Sequence, residues 1–176
     1  MINEDRIILR EEWGAKDPPA GKPFFPHVPN KIIFHHYGFP EDEPRIHIMP
    51  FFEGISSVKE LQKDDIKRLG LIDIKFHYII APDGSIYEGR PSHYMGKHTV
   101  SYDNGSIGVL VWGNFNVEEP TEEIKEAMLW LVVHLKDKHK TISVPSAIFG
   151  HRCKSLTTCP GHNLYRYIVK MRTGVI

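Results

Sequence analysis

Hydrophobic and polar positions change their period several times along the chain, and each period predicts a different element. The run KIIFHHY at 31–37 is rich in β-branched and aromatic residues and is bounded by turn-forming residues, which predicts a strand. Because side chains alternate between the two faces of a strand, His36 would lie beside Ile32 and Phe34, and His35 on the opposite face. Only one of these adjacent histidines can therefore face a given site.

Three segments have the period of an amphipathic helix. The clearest, residues 120–140, begins with Pro120 and Thr121, with acidic residues in its first turn and basic residues in its last. A second helix is predicted from about Ser56, and a third from about Gly161. The positions expected to be buried are Ile124, Met128, Leu131, Val132 and Leu135 in the first helix, and Val58, Leu61, Ile66 and Leu69 in the second, which Gly70 would cap.

The remaining segments complete a mixed α/β pattern. Two β-rich runs flank a Pro-Asp-Gly turn within 74–90, which predicts a hairpin, and the apolar run at 106–115 predicts a central strand. A short strand is expected at 146–151. This order of elements predicts the α/β class, a central mixed β-sheet flanked by helices in a single domain of residues 1–176. Residues 1–30 would form an N-terminal extension and loop packed on that domain.

Composition and charge limit the classes of partner. The 176 residues are 41% hydrophobic and 25% charged, as in ordinary globular proteins. Basic and acidic residues number 22 each, so bulk charge indicates neither nucleic-acid binding nor attraction to an anionic membrane. No apolar run approaches the ~20 residues that span a bilayer, so no membrane insertion is expected. The N-terminus lacks the pattern of a signal peptide, which predicts synthesis in the cytoplasm.

The candidate chemistry lies in the eleven histidines and two cysteines. His151 would end a strand, and Cys159 follows it by seven residues just before a helix, so their side chains could converge across the intervening loop. Zinc favours histidine nitrogens and cysteine thiolates, and catalytic zinc sites use three protein ligands and one open position. The strand at 31–37 is the natural source of a third ligand. This spacing alone is a weak signal of a metal site.

Other interpretations of the same residues remain open at this point. Cys159 could be a buried and inert thiol, or it could form a disulfide with Cys153. It could also act as a nucleophile paired with a histidine, because a helix N-terminus lowers the pKa of a thiol. That metal-free hydrolase would leave His35 unexplained.

Five segments, in this order along the chain, resemble the zinc amidase family that includes phage-lysozyme-type amidases and peptidoglycan recognition proteins. The resemblance implies that family's fold and its cleavage of the amide between N-acetylmuramic acid and L-alanine in peptidoglycan or muropeptides. The segments are LREEWGA at 9–15, IIFHHYG at 32–38, residues 61–91 from the central helix through the hairpin, residues 95–115 with the Gly-x-His-Thr loop, and GHRCKSLTTCPG at 150–161.

The resemblance also implies the ligands. His35, His151 and Cys159 correspond to the family's three zinc ligands, which predicts one Zn²⁺ per chain. Two neutral imidazoles and one thiolate would leave the site with a net charge near +1 and one open position. Water bound there would have its pKa lowered toward ~7, and the metal could also polarise the scissile carbonyl.

Two positions depart from the pattern of many active members. Phe76 stands where those members carry a tyrosine near the zinc-bound water, so a donor to the developing oxyanion is absent. Tyr78, two residues later and expected on the same strand face, could substitute for it. Thr157 stands where phage-type members have a lysine, and its hydroxyl could bond the water or the oxyanion. Thr157 and Tyr78 are therefore the candidate catalytic side chains.

Further residues are expected beside the substrate. These candidate substrate-binding residues are His98, Thr99, Phe76, Arg90 and Asn114, although for Arg90 the role of fixing a loop is favoured over binding substrate. A non-catalytic peptidoglycan-binding module is the main alternative to the enzyme, and retention of all three ligands favours the enzyme. An endolysin that reaches the wall after release and an enzyme acting on cytoplasmic wall fragments are both compatible with a chain lacking a signal peptide.

Overall fold

The protein is described here by a computed structural model covering residues 6–19, 24–38 and 51–175, in which six strands form one mixed sheet. The strands are β1 (Ile7–Ile8), β2 (Lys31–His36), β3 (Tyr78–Ile80), β4 (Ile86–Glu88), β5 (Ser106–Val111) and β6 (Ile148–Gly150). The helices are α1 (Arg10–Trp13), α2 (Ile55–Lys67), α3 (Glu122–Lys138) and α4 (His162–Thr173), and a 3-10 turn spans His151–Cys153.

The strand order β1-β4-β3-β5-β2-β6 places β2 between β5 and β6. Both of these neighbours run parallel to β2, as β3 does to β5 and β1 to β4, and among the six described strands the β3–β4 pair alone is antiparallel. The predicted fold class, hairpin and central strand are therefore confirmed. Because β2 and β6 are parallel, their carboxyl ends lie at the same edge of the sheet, where functional side chains commonly collect in α/β folds.

Each face of the sheet has its own apolar core. On one face, Ile32 and Phe34 pack with Val109 and with buried residues of α3 and α4. On the other face, Ile79 and Leu110 belong to a core that includes residues of α1 and α2. Alternation along β2 therefore directs its even-numbered side chains toward α3 and α4, and its odd-numbered ones toward the α2 side.

Helix α3 agrees with its prediction because local signals and packing coincide. All five apolar positions of its predicted stripe are buried. The Thr121 side chain accepts the Ile124 N–H at 3.3 Å, which satisfies one of the amides that a helix start leaves open. Acidic residues occupy the first turn and basic residues the last, as the helix dipole favours.

Helix α2 buries a partly different stripe from the predicted one. Val58 and Leu61 are buried as expected, but Leu69 is 56% exposed because the helix ends at Lys67. The buried positions of the last turns are polar instead. Gln62 donates to Asp73 Oδ1 at 2.6 Å. The Asp65 carboxylate accepts the backbone N–H of Lys75 at 2.9 Å. Polar bonds to the following loop, rather than apolar periodicity, hold this end of α2.

The N-terminal segment contributes more regular structure than an extension and loop. Strand β1 pairs with β4, and Trp13 at the end of α1 is fully buried and donates its indole N–H to Glu88 O at 2.7 Å. A two-residue strand and a four-residue helix are too short to show a period in the sequence. Residues 1–5 and 20–23 of the predicted extension lie outside the described residues. Within the described part of the chain, none of the helices has the length and apolar character needed to cross a bilayer.

Candidate metal centre

The parallel pairing of β2 with β6 brings two histidines together at one edge of the sheet. Phe34 pairs with Gly150, so His35 in β2 and His151, the first residue after β6, come side by side. Their ring centroids lie 4.4 Å apart. The sheet register itself, rather than a flexible loop, therefore sets the spacing of this pair.

Cys159 completes the cluster from the loop that precedes α4. Its Sγ lies 3.8 Å from His35 Nδ1, and it accepts the backbone N–H of His36 at 3.4 Å. One possible ligand atom from each of His35, His151 and Cys159 lies within 4.8 Å of the others. Both cysteines are free thiols, so the disulfide alternative with Cys153 is wrong for this structure.

The donor set fits a zinc ion. Tetrahedral geometry with Zn–S near 2.3 Å and Zn–N near 2.0–2.1 Å separates a sulfur and a nitrogen ligand by about 3.6 Å. The 3.8 Å between Cys159 Sγ and His35 Nδ1 is close to that spacing. Two imidazoles and one thiol are also ligands that zinc prefers over the oxygen-rich sets chosen by magnesium or calcium.

Burial keeps these donors uncharged when no metal is bound. Desolvation lowers the pKa of His35 well below its usual value, and neighbouring histidines add to this effect. Burial also lowers the pKa of His151, although Asp103 acts in the opposite direction. Desolvation raises the pKa of Cys159 to about 11, against the opposing effect of the His36 N–H. Metal binding at neutral pH would therefore release the thiol proton.

The other ring nitrogen of His35 faces two polar side chains of the Gly-x-His-Thr loop. His35 Nε2 lies 3.0 Å from His98 Nδ1 and 3.3 Å from Thr99 Oγ1. Both residues are buried, and Asp103 accepts both of their backbone N–H groups at 2.7 Å. The sequence alone could not identify the hydrogen-bond partner of His35. The structure places His98 and Thr99 there, two residues that the sequence predicted only as substrate-binding.

His36 is directed to the opposite face, as alternation predicts. Its Nδ1 accepts the Phe115 backbone N–H at 3.2 Å, and burial, with a smaller effect of Arg152, lowers its pKa to about 4. Its imidazole is therefore neutral and structural, and only its backbone N–H reaches Cys159.

The expectation that Tyr78 lies on the same face as Phe76 is wrong. Phe76 belongs to the core on the α2 side, with its ring centroid 5.2 Å from that of His35, whereas Tyr78 belongs to the core beneath α3 and α4. Regular alternation fails here because the successive N–H groups of Gly89 and Arg90 donate to His77 O and Phe76 O, and β3 begins only at Tyr78. Tyr78 therefore cannot replace a hydroxyl missing at Phe76.

The remaining candidates differ in how they are used. Arg90 is buried and donates to the backbone oxygens of Ile74, Met95 and Asp73, so its guanidinium fixes a loop, which was the alternative to substrate binding. The Asn114 side-chain oxygen accepts the backbone N–H of Asn116, within a turn. Thr157 Oγ1 accepts the Cys159 N–H at 3.2 Å. That bond uses an oxygen lone pair, which leaves the hydroxyl proton available to donate.

A groove of about 320 Å³ adjoins the cluster at Phe76. Helix α2 contributes charged residues to its wall, and Lys75 lines it from the segment before β3. The Lys75 ammonium lies 5.2 Å from the Phe76 ring centre and 3.4 Å from an Asp65 oxygen. Its positive charge adds to the desolvation that lowers the pKa of His35, and it opposes the desolvation that raises the pKa of Cys159. Lys75 carries no motif of its own, so sequence reasoning missed this cation near the cluster.

Comparison with known proteins gives one consistent family. The sequence profile of the family described as N-acetylmuramoyl-L-alanine amidase matches residues 26–162. An N-acetylmuramoyl-L-alanine amidase of Sus scrofa is 27% identical over 162 residues, which are 92% of this chain and 26% of that protein. The chain therefore spans about a quarter of this relative's length.

Solved structures share the fold over nearly the whole chain. A peptidoglycan recognition protein LE in complex with tracheal cytotoxin, a monomeric diaminopimelic acid-type peptidoglycan, matches with a TM-score of 0.78 at 27% identity. The match covers 93% of this chain and 92% of that one. The N-acetylmuramoyl-L-alanine amidase LysC from Clostridium intestinale matches with a TM-score of 0.69 at 25% identity, covering 96% and 97% of the two chains.

Proposed function

We propose that this chain, which belongs to the N-acetylmuramoyl-L-alanine amidase family, is a zinc-dependent hydrolase of the amide between N-acetylmuramic acid and L-alanine in peptidoglycan. The observation that carries the proposal is the convergence of His35, His151 and Cys159 at one edge of the sheet. A protein that only binds peptidoglycan has no need for a complete set of metal donors. We also propose that residues 1–176 act together as one catalytic domain.

The protein would hold one zinc ion through His35, His151 and Cys159. When bound, the ion would supply Lewis-acid polarisation of the scissile carbonyl and a nucleophile from water at neutral pH. The chain's part is to present neutral imidazoles and a thiolate in fixed positions. The His36 N–H supports the thiolate by donating to Cys159 Sγ, because a hydrogen bond to a charged form favours that form.

Thr157 is the side chain best placed to assist the reaction from the protein. It precedes Cys159 by two residues, its oxygen is engaged by the Cys159 N–H, and its hydroxyl proton is available. We assign it the donation of a hydrogen bond to the oxyanion that develops as the amide is attacked. The stem peptide would lie in the groove beside Phe76, where Lys75 and the charged residues of α2 can bind its polar groups.

A non-catalytic peptidoglycan-binding module is the second candidate, and Phe76 favours it. The ring has no hydroxyl, and Tyr78 cannot supply one from the opposite face. Removing a donor of this kind costs ~100- to 1000-fold in rate where a site depends on it. Substrate recognition in the groove would not depend on that hydroxyl.

The test is incubation of the zinc-loaded protein with purified peptidoglycan, with and without a chelator. The expected products are new N-terminal alanine and intact glycan strands, and both the chelator and Cys159→Ala should abolish their release. Metal analysis should give one equivalent of zinc in the wild type. Binding to peptidoglycan without release of alanine would overturn the enzyme and support the binding module. Release that persists without metal would instead support the Cys–His hydrolase.

The same assay with two substrates separates the biological roles. Intact wall as the preferred substrate would support a lytic enzyme that acts after release, whereas soluble muropeptide would support recycling of wall fragments. Stem peptides with diaminopimelate or lysine at the third position would then establish which peptide the groove accepts.

A further inference from the structure

We propose that His98 is a positioning residue that holds His35 in the tautomer whose Nδ1 lone pair faces the metal. The inference rests on the proposed metal site, but it concerns a hydrogen-bond chain within this protein. A histidine that binds zinc through Nδ1 must carry its proton on Nε2. That proton needs an acceptor, and the acceptor selects the tautomer.

The chain begins at His35 Nε2, which lies 3.0 Å from His98 Nδ1. With the proton on His35 Nε2, His98 Nδ1 must be the acceptor, so the proton of the neutral His98 ring lies on Nε2. The His98 side chain is buried, and burial disfavours the charged form of the ring. His98 Nε2 in turn lies 3.3 Å from Ser106 Oγ.

Ser106 fixes the direction of the chain. Its hydroxyl is 2.6 Å from Tyr102 O, a carbonyl that can only accept, so the hydroxyl proton is committed there. Ser106 Oγ therefore accepts from His98 Nε2–H, and His98 Nδ1 is left as an acceptor for His35. Every bond then runs one way, from His35 through His98 and Ser106 to the backbone. Reversal would leave the Tyr102 oxygen without this donor.

Two glycines leave the space that the His98 ring occupies. A Cβ at Gly108 of β5 would lie 2.3–2.6 Å from three atoms of that ring, so the ring rests directly on the bare backbone. A Cβ at Gly96 would also meet His98, at 2.7 Å. The ring is thus held by packing as well as by hydrogen bonds, which makes its orientation toward His35 independent of a bound metal.

Thr99 is the alternative acceptor, and it is the weaker one. Its Oγ1 lies 3.3 Å from His35 Nε2 and 2.9 Å from His98 Nδ1. If Thr99 donates to His98 Nδ1, it competes with His35 for the same lone pair. The Thr99→Val variant removes this competitor while keeping the side chain's shape, and it should leave the His35 tautomer unchanged.

The first test needs no variant and no catalysis. Ring nitrogen shifts and couplings in the metal-free wild-type protein, measured by long-range ¹H–¹⁵N correlation NMR, should show the Nε2–H tautomer for both His35 and His98. A His35 ring protonated on Nδ1, or averaging between the two tautomers, would overturn the proposal. This measurement is independent of whether the protein cleaves peptidoglycan.

The second test compares two substitutions at one position. His98→Asn places an amide oxygen as many bonds from Cβ as Nδ1 is, whereas His98→Gln extends only to the region of Nε2. We expect His98→Gln to weaken zinc binding about 10- to 100-fold, the range for partners of metal ligands, and His98→Asn to restore most of the loss. Zinc affinity is measured by competition with a chromophoric chelator, and thermal unfolding of the metal-free proteins identifies simple destabilisation.

Gly108→Ala supplies an independent variant, because it displaces the His98 ring without removing any hydrogen-bonding group of the chain. It should weaken zinc binding to a similar extent. Equal zinc affinity in wild type, His98→Gln and Gly108→Ala would overturn the positioning role. A wild-type protein that binds no zinc would overturn the proposed function instead, and one that binds zinc without releasing alanine would leave the positioning role intact.

Discussion

His77 and His35 are both fully enclosed histidines, and they differ in what their ring nitrogens face. His77 Nδ1 accepts the Gly108 N–H at 2.9 Å, and its Nε2 donates to Tyr94 O at 2.9 Å, so backbone groups satisfy both nitrogens. His35 has one nitrogen bonded to side chains, while the other faces Cys159 and lies beside His151. A histidine satisfied by backbone on both sides is structural, whereas one with a lone pair directed at other donors is available for chemistry.

Replacing one of the candidate metal ligands should give the largest difference between the two kinds of histidine. His35→Ala should lose zinc and amidase activity, and its loss of zinc affinity should exceed the roughly 100-fold upper range for residues that only support a ligand. His36→Ala is the matched control, since its ring bonds a backbone amide on the other face. Metal analysis and alanine release measure the two effects. Retained zinc in His35→Ala would place the metal elsewhere.

At His77 the large effect should fall on stability instead. His77→Leu would leave the buried Gly108 N–H and the partly buried Tyr94 C=O without their partner. At about 1–3 kcal/mol for each, the free energy of unfolding should fall by about 2–6 kcal/mol. Urea unfolding of the metal-free protein measures this loss. Unchanged stability would contradict a structural role for His77.

Protonation of His77 should make the free energy of unfolding fall in acid. Burial lowers the pKa of His77 to about 3 in the folded protein, against an ordinary value of 6.5. The unfolded chain therefore takes up this proton first, so the stabilisation is fully present above pH 6.5 and is lost as the pH falls toward 3. Between pH 4 and 6 this one group should contribute about 1.4 kcal/mol per pH unit to the slope of unfolding free energy.

The control for this slope is the variant His77→Asn, whose side chain can still accept the Gly108 N–H but does not titrate. Its slope between pH 4 and 6 should be shallower by about one proton's contribution. Parallel slopes for wild type and His77→Asn would mean that other groups account for the acid sensitivity.

The smallest effect is expected from restoring a hydroxyl beside His35. Phe76→Tyr restores a hydroxyl at a ring whose centroid is 5.2 Å from that of His35. If the missing donor limits the rate, alanine release should increase, by about tenfold or less, because the surrounding groups are not arranged around the new hydroxyl. Zinc content should stay the same. An unchanged rate would indicate that Thr157 already supplies the donor.

Sequence predicted best where local signals and tertiary packing agree. Helix α3 has both a cap at Thr121 and a continuous apolar stripe, and both occur as expected. Alternation in β2 separated His35 from His36, because β2 is regularly paired on both sides. The class of fold follows from the order of such elements.

The failures share a different cause, since each depends on partners distant in the sequence. Polar residues of α2 are buried because Asp73 and Lys75 fold back onto them. Tyr78 takes the opposite face from Phe76 because hairpin pairing is irregular before β3. The contact of His98 with His35 joins positions 63 residues apart, and no local pattern encodes it.

The pairing of β2 with β6 also has a consequence for how the protein is made. His35 lies in β2 and leaves the ribosome well before its neighbour His151 and the third ligand Cys159, which both follow β6. The three donors cannot meet until β6 has joined the sheet and the loop before α4 has emerged. If the site holds zinc as proposed, the ion can be bound by all three ligands only after both of these segments have been synthesised.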